Sequence, residues 1–195
     1  MIISDIKKIY KTELEYLKDG IKNGANPYHA FTLSSFNENY PELRTIVLRS
    51  LESNPLRIYF NADYRSPKVK ELQNNNSCSA LFYDKDRRVQ LRFRCKATLH
   101  YQNELSKKVW DKTALQSKKC YMGPYSPSEV LDEWHPNIPL EYLKKDPEEQ
   151  HSEDGYINFT HIELEITETD ILQLHHDGHI RFKVDNKDSL FYLAP

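Results

Sequence analysis

Val89-Gln-Leu-Arg-Phe-Arg-Cys-Lys-Ala97 is the stretch on which the fold turns. Leu91, Phe93, Cys95 and Ala97 alternate with Gln90, Arg92, Arg94 and Lys96. A period of two means a strand with one face in a core and the other toward polar surroundings. The pattern predicts a strand over 89–101. The charged turn Asp84-Lys-Asp-Arg-Arg88 joins it to an apolar, β-rich run at 77–83, which completes a hairpin.

Upstream, Ser66 is an N-cap candidate and Pro67 suits a first helical position, so with Val69 and Leu72 a helix is expected over 67–74. Strands are expected at 56–61, 43–51 and 29–36, punctuated by Ser53-Asn-Pro55 and Asn37-Glu-Asn-Tyr-Pro41. Ile6, Ile9, Tyr10, Leu14, Leu17 and Ile21 recur at mixed three- and four-residue spacing, an amphipathic helix stopped by Lys22-Asn-Gly-Ala-Asn-Pro27. Downstream come a helix from Glu104 to about Gln116 and an irregular segment, 123–152, rich in proline and charge. Strands follow at 161–167, 170–174, 180–184 and 190–193. A leading helix, many short strands and a few helical crossovers predict a mainly β fold, a barrel with attached helices, as one domain over 1–195.

Composition narrows the function. The 195 residues carry 27 basic and 29 acidic side chains, a net charge of −2 that offers no basic excess for nucleic acid. No apolar run approaches the ~20 residues that span a bilayer, so no membrane partner is expected. Met1-Ile-Ile-Ser-Asp-Ile-Lys-Lys8 lacks the apolar region of a secretory signal. Cys78, Cys95 and Cys120 are odd in number and widely spaced, which reads as reduced, inert thiols in a cytoplasmic protein.

Basic residues at strand ends carry the chemistry. Arg44 and Arg49 bracket one apolar strand, and Arg65-Ser66-Pro67-Lys68 opens the predicted helix. A helix start, a hydroxyl and two cations suit a phosphate monoester. The same residues also read as solvated surface charge with one N-cap serine. Gln90 heads a second polar stripe and offers both donor and acceptor to a heteroaromatic edge. Arg94 and Lys96 fit the solvent face of the strand. His175-His-Asp-Gly-His179 fits a polar turn or one ligand-contacting His, and no metal site is expected. The glycine-rich phosphate loops, the HExxH metal motif and the GxSxG elbow are absent.

Several blocks, in order, resemble the pyridoxamine 5′-phosphate oxidases. Arg44-Thr-Ile-Val-Leu-Arg49 is similar to that family's Arg-x-Val-x-Leu-Lys strand. Tyr59-Phe-Asn-Ala-Asp-Tyr-Arg-Ser-Pro-Lys68 is similar to its aromatic-Thr-Asn/Asp-x-x-Ser-x-Lys segment, and Glu71-Leu-Gln-Asn-Asn75 to the continuation. Ser79–Tyr83 and Val89–Phe93 match a pair of strands, His179-Ile-Arg-Phe182 resembles His-Asp-Arg-Phe, and the chain closes on Leu193-Ala-Pro195. The wording of 63–68 is nearest the branch described only as related, FMN-binding proteins. The resemblance implies a six-stranded split β-barrel that forms a homodimer, with FMN at the subunit interface.

It also implies roles. Arg44, Ser66 and Lys68 would hold the FMN phosphate, with Arg65 replacing a family Arg that is Pro67 here. Thr45, Ile46, Val47, Leu48, Arg49, Asn61 and Ala62 would line the flavin, Gln90 would meet it, and Arg181 would sit near the ring. Arg49 and His179 would face a small-molecule substrate. The chain departs where Arg49 replaces Lys, where Asp177 replaces a substrate-recognising Arg, and where Leu172 replaces a Trp. The implied activity is an FMN-dependent oxidoreductase whose substrate need not be pyridoxamine phosphate. The alternatives are a non-catalytic flavin-binding or sensing module and a barrel with a dead cofactor site.

Overall fold

The computed structural model describes residues 5–195; Met1–Ser4, which open the stretch read against a secretory signal, lie outside the described residues. In chain order the elements are α1 (Ile6–Lys22), β1 (Ala30–Phe36), β2 (Pro41–Val47), β3 (Ser50–Ser53), β4 (Leu56–Asp63), α2 (Pro67–Asn74), β5 (Ser77–Asp84) and β6 (Val89–Tyr101). Then come α3 (Glu104–Asp111), α4 (Leu115–Lys118), α5 (Glu149–Ser152), β7 (Phe159–Gln173), β8 (Ile180–Asp185) and β9 (Leu190–Tyr192). The chain forms two compact units interleaved in sequence. One holds residues up to Phe60, 75–98 and 163–195; the other holds 61–74 and 99–162.

The strands make one sheet in the order β2-β1-β5-β6-β7-β4-β3, with β8 on β7 and β9 on β8. The run starts at β2 and stops at β3 without closing, as a split barrel requires. β5 and β6 pair antiparallel from Ser77↔Lys96 to Asp84↔Val89, so the hairpin read from the 84–88 turn is present in register. Leu91, Phe93, Cys95 and Ala97 are buried, as the alternation predicts. α2 also matches its expected span.

Three elements differ. The single strand expected over 43–51 is two, because the chain changes partner: β2 pairs with β1, whereas β3 pairs with β4. At the switch the Leu48 amide bonds the His29 carbonyl (2.9 Å) and the Arg49 amide bonds that of Tyr59 (2.9 Å). The two strands expected at 161–167 and 170–174 are one, β7, fifteen residues long. The helix expected from Glu104 stops at Asp111, where the Lys112 amide turns back to Val109 (3.2 Å), and restarts as the short α4.

In the first unit the core packs Leu17, Tyr28, Phe31, Leu33, Phe82 and Phe93, with Phe31 stacked on Phe82 at 5.0 Å. α1 is pinned by charge as well as apolar contact. Glu13, 1% exposed, takes two hydrogen bonds from Arg87 (2.8 and 3.0 Å) and one from the Tyr28 hydroxyl (2.8 Å). Arg87 also reaches Asp84 (2.5 Å) and lies 3.6 Å over the Tyr16 ring. A buried ion group of this kind is tolerable only when every member is paired.

In the second unit Trp110 is fully buried against Phe159 (5.1 Å) and Tyr121 (5.8 Å), and its indole N–H donates to Glu153 (2.9 Å). Tyr64 and Tyr101 stack at 3.5 Å, nearly parallel. Cys78 and Cys95 are buried register partners, and Cys120 is exposed. Among the described residues no helix is long and apolar enough to cross a membrane.

Candidate functional site

Some of the predicted residues gather in two places, one in each unit, and the rest lie apart. The first is the turn from β4 into α2. Asn61 and Ala62 end β4, and the carbonyl of Asp63 takes the Ser66 amide (3.0 Å) before α2 begins at Pro67. Ser66 is fully buried, and Lys68 Nζ donates to its hydroxyl at 3.1 Å. An ammonium beside a hydroxyl at a helix head is a donor set suited to a phosphate monoester, so these residues fit the phosphate of FMN.

Arg65 is held differently. Its guanidinium grips Asp63 at both oxygens (3.0 and 2.7 Å) and the Gly123 carbonyl (3.0 Å). That hold braces a loop with no room to spare, since a Cβ on Gly123 would lie 2.1 Å from the Asn137 carbonyl oxygen. Asp63, two residues before Arg65, was not singled out in the sequence, although the spacing is that of a local turn. His161 was missed as well. Its Nδ1 lies 2.7 Å from Asn61 Oδ1, across 100 positions of sequence that no local signal bridges. Burial first, and the neighbouring His100 second, push its imidazole down to about 4.

The second place is a groove of about 340 Å³ on the polar face of the first unit's sheet, lined by Gln90, Arg92, Arg94, Glu168 and Asp170 among others. Asp170 accepts from Arg92 (2.5 Å) and from Arg181 (2.9 and 3.2 Å). Burial works to raise the Asp170 carboxyl, but hydrogen bonds from Arg181 and Arg92 outweigh it and hold the group below the usual carboxylate range. The structure thus gathers Gln90 and Arg181 about one groove, together with Asp170, a carboxylate that sequence reading passed over.

The β2 residues divide by face. Arg44 is the register partner of Leu33, which pairs in turn with Ala80 and so with Phe93: the core face. There its guanidinium meets the Ser35 hydroxyl and the Glu42 carbonyl (3.2 Å). Thr45 pairs with Thr32, which pairs in turn with Leu81 and so with Arg92: the groove face shared with Gln90. Ile46 and Leu48 are buried, Val47 is half-buried, and Arg49 is exposed at the partner switch. His179 accepts the His175 amide (3.2 Å) across an exposed turn whose Gly178 has a φ of 120°, backbone that favours glycine.

The family model described as pyridoxamine 5′-phosphate oxidase, FMN-binding domain, matches residues 11–101. Over those residues the chain is similar to the FMN-binding domain of the pyridoxamine 5′-phosphate oxidases. Both the β4–α2 turn and Gln90 lie inside the matched residues. A pyridoxamine 5′-phosphate oxidase-related, FMN binding protein from Nostoc punctiforme PCC 73102 is similar over 100% of both chains, at 17% identity and a TM-score of 0.71. PhzG from Burkholderia lata 383, solved with tetrahydrophenazine-1-carboxylic acid, is similar over 100% of this chain and 94% of its own, at 17% identity and a TM-score of 0.66. ChuZ from Campylobacter jejuni covers 98% of this chain and 64% of its own, at 12% identity and a TM-score of 0.58. At such identities the likeness establishes a shared fold. No curated protein matches by sequence.

Proposed function

We propose that residues 1–195 act as one FMN-binding domain of the pyridoxamine 5′-phosphate oxidase class, a homodimeric oxidoreductase acting on a small molecule. The observation that carries this reading is Lys68 Nζ against the buried Ser66 hydroxyl at the head of α2, inside the matched family region. Arg44 is assigned to the same phosphate by the resemblance. Bound FMN supplies two-electron chemistry. The protein's own part is to hold the phosphate, orient the ring and set the charge around it.

The register supports the homodimer. Arg44 lies on the core face of the sheet and Gln90 on the groove face, so two copies give a flavin access to both more simply than one. A C2 pair is the simplest closed form. Asp170 bears on the reaction, because a cation beside the flavin favours its anionic reduced form and Asp170 shares out the charge of Arg92 and Arg181.

Titration with FMN and with riboflavin tests the cofactor. Tight FMN binding, much weaker riboflavin binding and a yellow protein are expected; equal affinity for the two would sink the phosphate assignment. Light scattering on the loaded protein tests the dimer. Reduction of the bound flavin by NAD(P)H, or turnover in a substrate screen, separates an oxidoreductase from a flavin-sensing module.

A further inference from the structure

Asn61 is half-buried at the end of β4, and its two amide ends are used differently. Oδ1 lies 2.7 Å from Nδ1 of His161, whereas Nδ2 makes no hydrogen bond to another described residue. His161 is 4% exposed, near the start of β7, and its imidazole is neutral at ordinary pH because of its burial. A neutral imidazole has one N–H and one lone pair, so the contact settles a choice. An amide oxygen only accepts; the proton must therefore sit on Nδ1. The His161 ring is confined, with His100 at 6.4 Å between ring centroids and the Thr160 hydroxyl bonded to the His100 carbonyl (3.1 Å).

We propose that His161 is a positioning residue: its Nδ1–H holds the Asn61 carbonyl oxygen, and the Asn61 NH₂ is thereby fixed as a donor to an acceptor atom of a bound flavin nucleotide. The inference rests on the FMN reading above and adds to it the residue that decides which end of the amide meets the ligand. Without that hold the two amide orientations become accessible to Asn61, and one of them turns an oxygen toward the acceptor. His161 touches no ligand itself and acts through Asn61.

Two measurements test it. Long-range ¹H–¹⁵N NMR of the ligand-free protein reads the His161 tautomer. The Nδ1–H form is expected, and an Nε2–H form would overturn the contact, since Asn61 would then be flipped. FMN titration of variants reads the consequence. His161→Leu and Asn61→Ala should each weaken FMN by about tenfold, one hydrogen bond's worth. The double variant should be no weaker than either, because both changes remove the same interaction. His161→Gln, which keeps an N–H donor and guards against a misfolded Leu variant, should bind within about threefold of wild type. Thermal melting confirms that each variant is folded. Additive losses in the double variant, or wild-type binding by His161→Leu, would overturn the positioning role. Wild-type protein that takes up no FMN would overturn the flavin reading instead, and the tautomer tells that failure apart.

Discussion

Two networks in the first unit use the same chemistry to opposite ends. Glu13, Arg87 and Asp84 place one guanidinium between two carboxylates, and Arg92, Asp170 and Arg181 place one carboxylate between two guanidiniums. The first is closed over by α1 and the Tyr16 and Tyr28 rings, with Glu13 at 1% exposure. The second opens on the groove, where the Arg92 side chain is 48% exposed. A sealed, acid-rich group has no room to respond to anything and fixes a helix. An open, cation-rich one keeps a net positive charge toward whatever enters. Burial and stoichiometry separate the two groups, although both are built from arginines and carboxylates.

The sharpest way to break this comparison is to remove one partner from the sealed network. Arg87→Ala leaves Glu13 buried without its cation, and a loss of about 3–5 kcal/mol is expected in urea unfolding. A loss below ~1 kcal/mol would put this network in the same class as an exposed pair.

Acid probes sealed groups in the second unit. His161 titrates near 4 when folded, below the ordinary 6.5, so the unfolded chain binds its proton first. Its contribution to stability is complete above about pH 6.5 and drains away as pH falls toward 4, by up to ~3 kcal/mol. A His161→Gln protein should lose less stability over that window.

The lysine of the β4–α2 turn is next. Lys68→Ala should weaken FMN by about 10- to 150-fold, the worth of a charge-assisted contact at ~1.5–3 kcal/mol, and leave riboflavin nearly unchanged. Parallel losses for both ligands in fluorescence titration would place Lys68 away from the phosphate.

Asp177 extends the comparison to the substrate. It sits in the exposed turn after β7, where the resemblance expects an arginine for a phosphate. Repulsion of a dianion there should hold pyridoxamine phosphate oxidation ~30-fold or more below that of an enzyme with the arginine, as a lost charge partnership costs ~2–5 kcal/mol. Steady-state turnover at the level of a dedicated oxidase would show that another cation of the first unit, such as the exposed Arg49, makes up the charge.

The smallest effect belongs to the open network. Asp170→Asn should change stability by less than ~1 kcal/mol, yet raise the reduction potential of bound flavin by releasing two guanidiniums. An unchanged potential would remove the groove from the flavin's surroundings.

Legibility in the sequence followed the range of the interactions. β6 and α2 were readable because alternation and a Ser-Pro start act within a few residues. The break between β2 and β3 was not, since no Gly or Pro interrupts residues 43–51 and only the change of partner strand divides them. β7 looked like two strands because 166–168 lacks a clean alternation. In the candidate site the cations were visible while their partners were hidden. The hold of Asp170 on Arg92 spans 78 positions and that of His161 on Asn61 spans 100. Sequence therefore gave the list of charges, and the fold decided which of them are already engaged.

The three thiols have a practical consequence. With Cys78 and Cys95 sealed between β5 and β6, and Cys120 exposed, a thiol-directed spin label has a single address on the natural chain. One label per copy turns assembly into a ruler: a pair of identical subunits yields one inter-label distance in pulsed electron resonance, and separate copies yield none.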